Sequence, residues 1–366
     1  MKGEVETGLE NVVALESSIT FIDGEKGILQ YRGYDVEKLA NLTYDEVSYL
    51  LIHGKNPEDE ELEAYSRTLK DERRIGSTLI EVLGFCNFNI EAMDALKTVT
   101  SLMSHCDPDL NTNNPQANTR KGMRMIAKFP TIVTSFSRLK RGLNVIEPDY
   151  EMSHGANFLY MLRGSRPTNL EARIIESDFI LSADHELNPS TFAARTVTST
   201  LSDLHSAVIG GLCTLKGPLH GGARMAVMNM LDEIDSPNDA QNLVLHKIEK
   251  HEKLMGFGHR VYKTYDPRAR VYKQLAREIA MEKNDMKWFE IAEKIEGAAY
   301  EEYVQNRGKP IYPNVDFYSG VVYKYLDIPP KLATAVFATG RISGWIAHCL
   351  EQYSDNRLIR PRAKFV

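Results

Sequence analysis

The pattern of apolar and polar positions changes character once, near residue 35. Before it, ITFIDGEKGILQYRGYD (19–35) has short apolar runs separated by Asp23-Gly24 and Lys26-Gly27, which is how a β-hairpin reads. After it, apolar residues recur every three or four positions, the helical period. Thr43-Tyr44-Asp45-Glu46 forms a capping box ahead of Val47, Leu50 and Leu51, with Gly54 as a stop. Pro57 fits the first turn of the acidic helix that follows. One helix is expected over 89–106. Another is expected over 115–142, kinked or divided at Pro130. Thr168-Asn169-Leu170-Glu171 is a second capping box and opens a helix ending near His185, before Asn188-Pro189. Ser202, Ser236-Pro237 and Asp266-Pro267 read as three further helix starts, the second leading into His251. Helices over 285–306, 313–326 and 330–354 complete the chain. Leu, Ala and Met dominate and β-branched runs are scarce, so the pattern predicts an almost all-α protein of about 16 to 20 helices.

A length of 366 residues is about two domains' worth. Apolar content of 43% and charged content of 26% are those of an ordinary globular protein. The net charge of −6 gives no general attraction to nucleic acid or to a membrane surface, so an anion site has to be built locally. Cys86, Cys106, Cys213 and Cys349 are widely spaced in helix-like apolar runs without a C-x-x-C pair. That predicts reduced core thiols and a cytoplasmic protein. The N-terminal segment lacks the apolar stretch of a signal peptide, and no 18-residue apolar run is present.

Against this background, a few short segments are overloaded with ionisable residues: DHELNPS (184–190), GPLHGGA (217–223), GFGHRVYKTYDPR (256–268) and YPNVDFYSG (312–320). FATGRISGW (337–345) and NRLIRPR (356–362) add arginines. Singly, each has a plain explanation. His220 can bond a carbonyl at a helix end, Asp316 is a first-turn acid favoured by the helix dipole, Asp266 is an N-cap, Asn188-Pro189 is a helix break, and Arg341 and Arg360 are surface charges. Together they imply a cleft, with three His, one Asp and three Arg expected at Gly/Pro-rich helix ends. Several arginines without a matching acid cluster suit a small polycarboxylate, which the guanidinium fork binds bidentately. A His–Asp–His set without a Ser or Cys elbow suits proton transfer. His185, Glu186, His220, His259 and Asp316 could ligate a metal. The H-E-x-x-H and H-x-H spacings are missing, however, and so many arginines would repel a cation. Gly256-Phe257-Gly258 matches neither phosphate-loop fingerprint, and its glycines are expected to let a ligand approach the backbone.

In this order, GPLHGGA, MGFGHRVYKTYDPRA, YPNVDFYSG, FATGR and LIRPRA resemble the citrate synthase family, over nearly the whole chain. The resemblance is to the short form found in archaea and Gram-positive bacteria, so an allosteric NADH site is not implied. It implies a two-domain helical fold with a small N-terminal β-hairpin, a large domain of residues 1–221 and 329–366, and a small one of 222–328. It also implies a cytoplasmic homodimer with oxaloacetate and acetyl-CoA as substrates and no metal or redox cofactor. By motif, His220 would hydrogen-bond the thioester carbonyl, Asp316 would take a methyl proton, and His259 would face the ketone of oxaloacetate. His185, Asn188, Arg268 and Arg341 would hold oxaloacetate, with Arg360 reaching in from the partner subunit. Lys253, Leu254, Met255, Gly256, Phe257 and Gly258 would line the CoA path, and Lys263 would meet CoA phosphates. Two rivals are 2-methylcitrate synthase, which uses propionyl-CoA, and a non-catalytic helical protein that binds CoA or anions. A single methylene separates the two acyl groups and is worth only about 1–3 kcal/mol.

Overall fold

The computed structural model describes residues 5–9, 12–85 and 90–365. It opens with a three-stranded antiparallel sheet, β1 (Thr20–Asp23), β2 (Ile28–Tyr31) and β3 (Tyr34–Asp35), in the order β1-β2-β3. The expected hairpin is therefore joined by a third, two-residue strand. Sixteen α-helices follow among the described residues: α1 (Val36–Leu39), α2 (Tyr44–His53), α3 (Asp59–Asp71), α4 (Ser77–Phe85), α5 (Ala92–His105), α6 (Pro115–Lys140), α7 (His154–Arg163), α8 (Asn169–Ser182), α9 (Pro189–Ser199), α10 (Leu204–Leu215), α11 (Ala223–Asp232), α12 (Ala240–Glu249), α13 (Pro267–Glu282), α14 (Lys287–Ala299), α15 (Val315–Tyr325) and α16 (Ala333–Ser354). None of them is long and apolar enough to cross a membrane.

Local chemistry explains most of these boundaries. Both capping boxes form, at Thr43/Glu46 and Thr168/Glu171, and Gly54 ends α2 with φ +77°. Asp266 caps α13 with Pro267 at its first position. Elsewhere the expectations need correction. Pro57 lies outside α3, which starts at Asp59 after Glu58. Ser202 does not cap α10. Asp203 does, by accepting from Ser206 N, while the Ser202 carbonyl accepts from Tyr353 Oη. Pro130 does not divide α6, which runs unbroken from Pro115 to Lys140. The helix expected over 285–306 ends in a π-helical stretch, Tyr300–Gln305. Asn89, the first residue of the helix expected over 89–106, lies outside the described residues, and α5 begins at Ala92.

The core is built around α16. Ile342, Trp345 and Ile346 are fully buried there, as expected of a helix enclosed on all sides, and each large apolar side chain contributes about 1.5–3 kcal/mol by burial. Helices α2, α6, α8, α9 and α10 pack around it, while α13 and α11 pack on α15, and α12 on α14. Close approach between α16 and the end of α8 requires glycine. A Cβ on Gly340 would sit 2.6 Å from the Phe179 carbonyl oxygen, and one on Gly344 would overlap that of Ala183. The expectation of buried cysteines holds only in part. Cys349 is in the core, Cys106 and Cys213 are exposed free thiols, and Cys86 lies outside the described residues. The helical period does not distinguish a residue on the inner face from one at its edge.

Candidate active site

The N-terminal sheet supports the site from below. Thr20 Oγ1 donates to Asp184 Oδ2 at 2.5 Å, and Tyr31 Oη donates to the Asp184 carbonyl at 2.9 Å. The turn between α8 and α9, which carries His185 and Asn188, is thereby tied to β1 and β2. The same sheet reaches the 256–268 loop, where Lys263 N donates to the Gly24 carbonyl at 3.0 Å. Asp184 also meets His348 Nε2 of α16 at 3.1 Å. Burial pushes the Asp184 carboxyl up, but His348, Arg341 and Thr20 outweigh it and hold the group below the usual carboxylate range.

Three imidazoles are held neutral. His185 and His259 lie with ring centroids 5.3 Å apart, and His185 Nε2 is 3.2 Å from Tyr262 Oη. Burial, with Arg268, His259 and Arg341 nearby, pushes His185 well below the usual histidine value. His259 Nδ1 accepts from Val261 N at 3.0 Å and Tyr262 N at 3.2 Å. With Nδ1 accepting, the proton of neutral His259 sits on Nε2, leaving that nitrogen as a donor. Burial and then Arg268 lower His259 to about 4.

His220, in the turn between α10 and α11, places Nε2 2.8 Å from Ser190 Oγ. Burial and then Arg341 lower it to about 4. Ser190 Oγ donates to Asn188 Oδ1 at 2.8 Å and accepts from Trp345 Nε1 at 3.2 Å. Asn188 Oδ1, an oxygen that can only accept, also takes Ser190 N and Thr191 N, both at 3.2 Å. The single hydroxyl proton is thus committed to Asn188, and His220 Nε2 is the donor to Ser190 Oγ. In that arrangement Nε2 of neutral His220 carries the ring proton.

Asp316 stands in the first turn of α15, with its backbone N–H bound by the capping Asn314 Oδ1 at 3.0 Å. Asn314 also ties the two loops together, donating from N to the Gly256 carbonyl at 2.8 Å and from Nδ2 to the Gly258 carbonyl at 2.9 Å. Burial raises the Asp316 carboxyl above the usual range. Arg224 and then Arg268 counter this, while Asp266 adds to it. A base with a raised pKa is a better match for a weakly acidic proton.

The arginines are placed differently from the expectation. Arg268 is paired, with Nε and Nη2 on the two carboxylate oxygens of Asp266 at 3.1 and 2.9 Å. Asp266 Oδ2 also accepts from Val315 N at 3.1 Å, so one carboxylate joins the starts of α13 and α15. Arg341 lies inside α16 rather than at a helix end. Its Nε donates to the Ser182 carbonyl at 2.6 Å, and its guanidinium covers Phe337 at 4.7 Å. Arg360 is exposed in the segment after α16.

In the run assigned to CoA, Lys253 and Lys263 are exposed, Leu254 and Gly256 are buried, and Met255, Phe257 and Gly258 are half-buried. The expectation for the glycines divides. Gly258, at φ +78°, faces open space, with only Ile311 within 4 Å of a built Cβ. Gly256, at φ +81°, is packed on α15, where a Cβ would meet Phe317 Cβ at 2.8 Å. A cavity of about 380 Å³ borders Phe257, Tyr265, Tyr300, Ile311 and Tyr312. Among the described residues, no group of three or more His, Cys, Asp and Glu side chains is gathered as a metal would need.

The family model described as "Citrate synthase, C-terminal domain" matches residues 8–362. The chain belongs to the citrate synthase family. It is 43% identical to the citrate synthase of Haloferax volcanii, over 100% of this chain and 96% of that protein. It is 44% identical to citrate synthase 2 of Bacillus subtilis, over 98% and 95% of the two. The solved ternary complex of carboxymethyl coenzyme A and oxaloacetate with the citrate synthase of Thermoplasma acidophilum has a TM-score of 0.92 at 34% identity, covering 99% of this chain and 96% of that one.

Three residues at the heart of this citrate synthase-family site have no distinctive signal in the sequence. Ser190 lies within DHELNPS, but a serine after Asn-Pro also fits a helix start. Asp266 has the pattern of a cap. Arg224 follows GPLHGGA on a helix whose period alone makes it an ordinary face residue. It is 2% exposed.

Proposed function

We propose that this chain is a citrate synthase: it condenses acetyl-CoA with oxaloacetate and hydrolyses the resulting citryl-CoA to citrate and CoA. The observation that carries the reading is a chain similar from end to end to citrate synthases, with a neutral donor histidine, a second histidine set on a serine, and a carboxyl of raised pKa in the matching motifs. Asp316 takes a proton from the acetyl methyl group. The charge that develops on the thioester oxygen is met by a hydrogen bond from neutral His220. The enol carbon attacks the ketone of oxaloacetate, and His259 Nε2–H donates to the ketone oxygen as it gains charge. Water then releases CoA from citryl-CoA.

Arg268, Arg341 and Arg360, with His185 and Asn188, hold the carboxylates, Arg360 acting from the partner subunit of a homodimer. The 253–258 run and Lys263 take CoA, and the cavity beside Phe257 supports that assignment. The steps as written draw on side chains alone and call for no resident metal or redox cofactor. Residues 1–221 and 329–366 form one domain and 222–328 the other, and they close on the substrates to exclude water. Packing of α11 and α13 on α15 supports that division. Free thiols at Cys106, Cys213 and Cys349 fit a cytoplasmic protein.

The test is a thiol-release assay with oxaloacetate and either acetyl-CoA or propionyl-CoA, with citrate identified as the product. Release that depends on oxaloacetate and favours acetyl-CoA is expected. A preference for propionyl-CoA would make the enzyme a 2-methylcitrate synthase, and no release with either would remove the catalytic reading.

A further inference from the structure

Arg224 stands beside Asp316 in the site. It lies on α11, 2% exposed, and Nη1 donates to Asp178 Oδ1 at 2.9 Å and to Tyr323 Oη at 2.6 Å. Asp178 is fully buried on α8 and also accepts from Tyr272 Oη at 2.7 Å and Tyr323 Oη at 2.8 Å. The guanidinium is further stacked near Tyr323 at 4.9 Å and Phe337 at 5.2 Å. One edge of the fork is therefore anchored. The other edge, Nε and Nη2, is buried without a hydrogen-bond partner. A buried donor pair left open is costly and calls for an explanation.

That open edge faces Asp316, with Nε 3.5 Å from Asp316 Oδ1. The distance is too long for a hydrogen bond and short enough for a strong charge interaction in a partly buried site. Asp316 is thus held in place without being locked, and both its oxygens stay available for a proton. We infer that Arg224 is a positioning residue for Asp316, braced by Asp178, Tyr272 and Tyr323 so that its Nε–Nη2 edge fixes the carboxylate in line for proton abstraction. The inference rests on the reading of Asp316 as the base. Facing Asp316 are Arg224 from α11 and Arg268 and Asp266 from the start of α13. Glu296 of α14 is engaged by Tyr318, Tyr265 and Lys273 instead. Each cation has an acid of its own, Arg268 in Asp266 and Arg224 in Asp178, but Arg224 lowers the Asp316 carboxyl more than Arg268 does and is the principal counter-charge.

The experiment compares wild type with Arg224→Gln/Asp178→Asn, which removes both buried charges together, and with Arg224→Lys, which keeps them. In the double variant the acid limb of the kcat/KM profile should move to higher pH by roughly one to three units, the usual effect of losing a close opposite charge. Its kcat should fall by ~10-fold or more while KM for oxaloacetate changes little. Arg224→Lys should keep the acid limb but lose kcat, since a lysine ammonium cannot reproduce the fixed fork. A ¹³C NMR titration of labelled aspartate, with the Asp316 signal assigned through Asp316→Asn, reads the same shift without turnover. Unchanged acid limb and kcat in a folded double variant would overturn the inference. Should that variant not fold, wild-type kcat in Arg224→Lys overturns it instead. Wild type that titrates Asp316 as described but releases no thiol would count against the function and not against the role of Arg224.

Discussion

At the residue scale, the site depends on where single protons sit. Asp316→Asn removes the base and should lower kcat by about 10²–10⁴-fold, with oxaloacetate affinity, measured by calorimetry, nearly unchanged. Ser190→Ala should be milder and different in kind. It leaves His220 Nε2 without its partner and frees the ring to turn or change tautomer, so kcat should fall by ~10-fold or more while the fold is retained. Near-normal turnover in Asp316→Asn would move the base elsewhere, and an unaffected Ser190→Ala would mean that the His220 tautomer is set by something else.

At the element scale, two loops act as one unit. The 256–258 turn and the 312–314 segment are joined by Gly258 N to the Tyr312 carbonyl at 2.8 Å, by Asn314 N to the Gly256 carbonyl at 2.8 Å, and by the Phe257–Pro313 bridge. Their pairing links the loop of His259 to the helix start of Asp316. Gly256 is the narrowest point, since a side chain there would be strained by φ +81° and would press on Phe317. Gly256→Ala should therefore cost more than ~1 kcal/mol in thermal or denaturant unfolding, and it should lower kcat because both catalytic elements shift together. A variant of wild-type stability would show that the α15 contact yields.

For the whole molecule, buried histidines set an acid limit on stability. Burial lowers His154 to about 3, and His220 and His259 are lowered to about 4. An unfolded histidine takes its proton near 6.5. Below that pH the unfolded chain binds more protons, so stability should be full above about pH 6.5 and decline towards pH 4. The slope is up to about 1.4 kcal/mol per pH unit for the fully buried His154. Asp45, raised to about 6 by burial and by Glu176, opposes this between pH 6 and 4, as do the raised carboxyls of Asp316 and Glu186, but the lowered histidines, His185 among them, outweigh these. Urea unfolding at a series of pH values checks it, and a midpoint that rises on acidification would contradict it. The proposed dimer has its own test. Mixing Arg360→Ala with His259→Ala subunits should regenerate activity in hybrids, and confirmed subunit exchange without recovery would return Arg360 to its own subunit.

The sequence by itself determined the all-α class, the N-terminal strands, both capping boxes and the motif residues, because these are written in short-range patterns: a period, a cap, a turn residue. What it did not contain was which side chains would meet across the chain. Arg224 and Asp178 are 46 positions apart, and Ser190 and Trp345 are 155 apart. Arg341 looked like a residue at a glycine-rich break, yet it lies inside α16, where Gly340 and Gly344 serve the packing against α8. Whether an arginine is free or already paired, and which nitrogen of a histidine carries the proton, is decided by burial and by partners brought from distant helices. Only the tertiary structure decided those, because desolvation and hydrogen bonding act through space and leave no local trace in the order of residues.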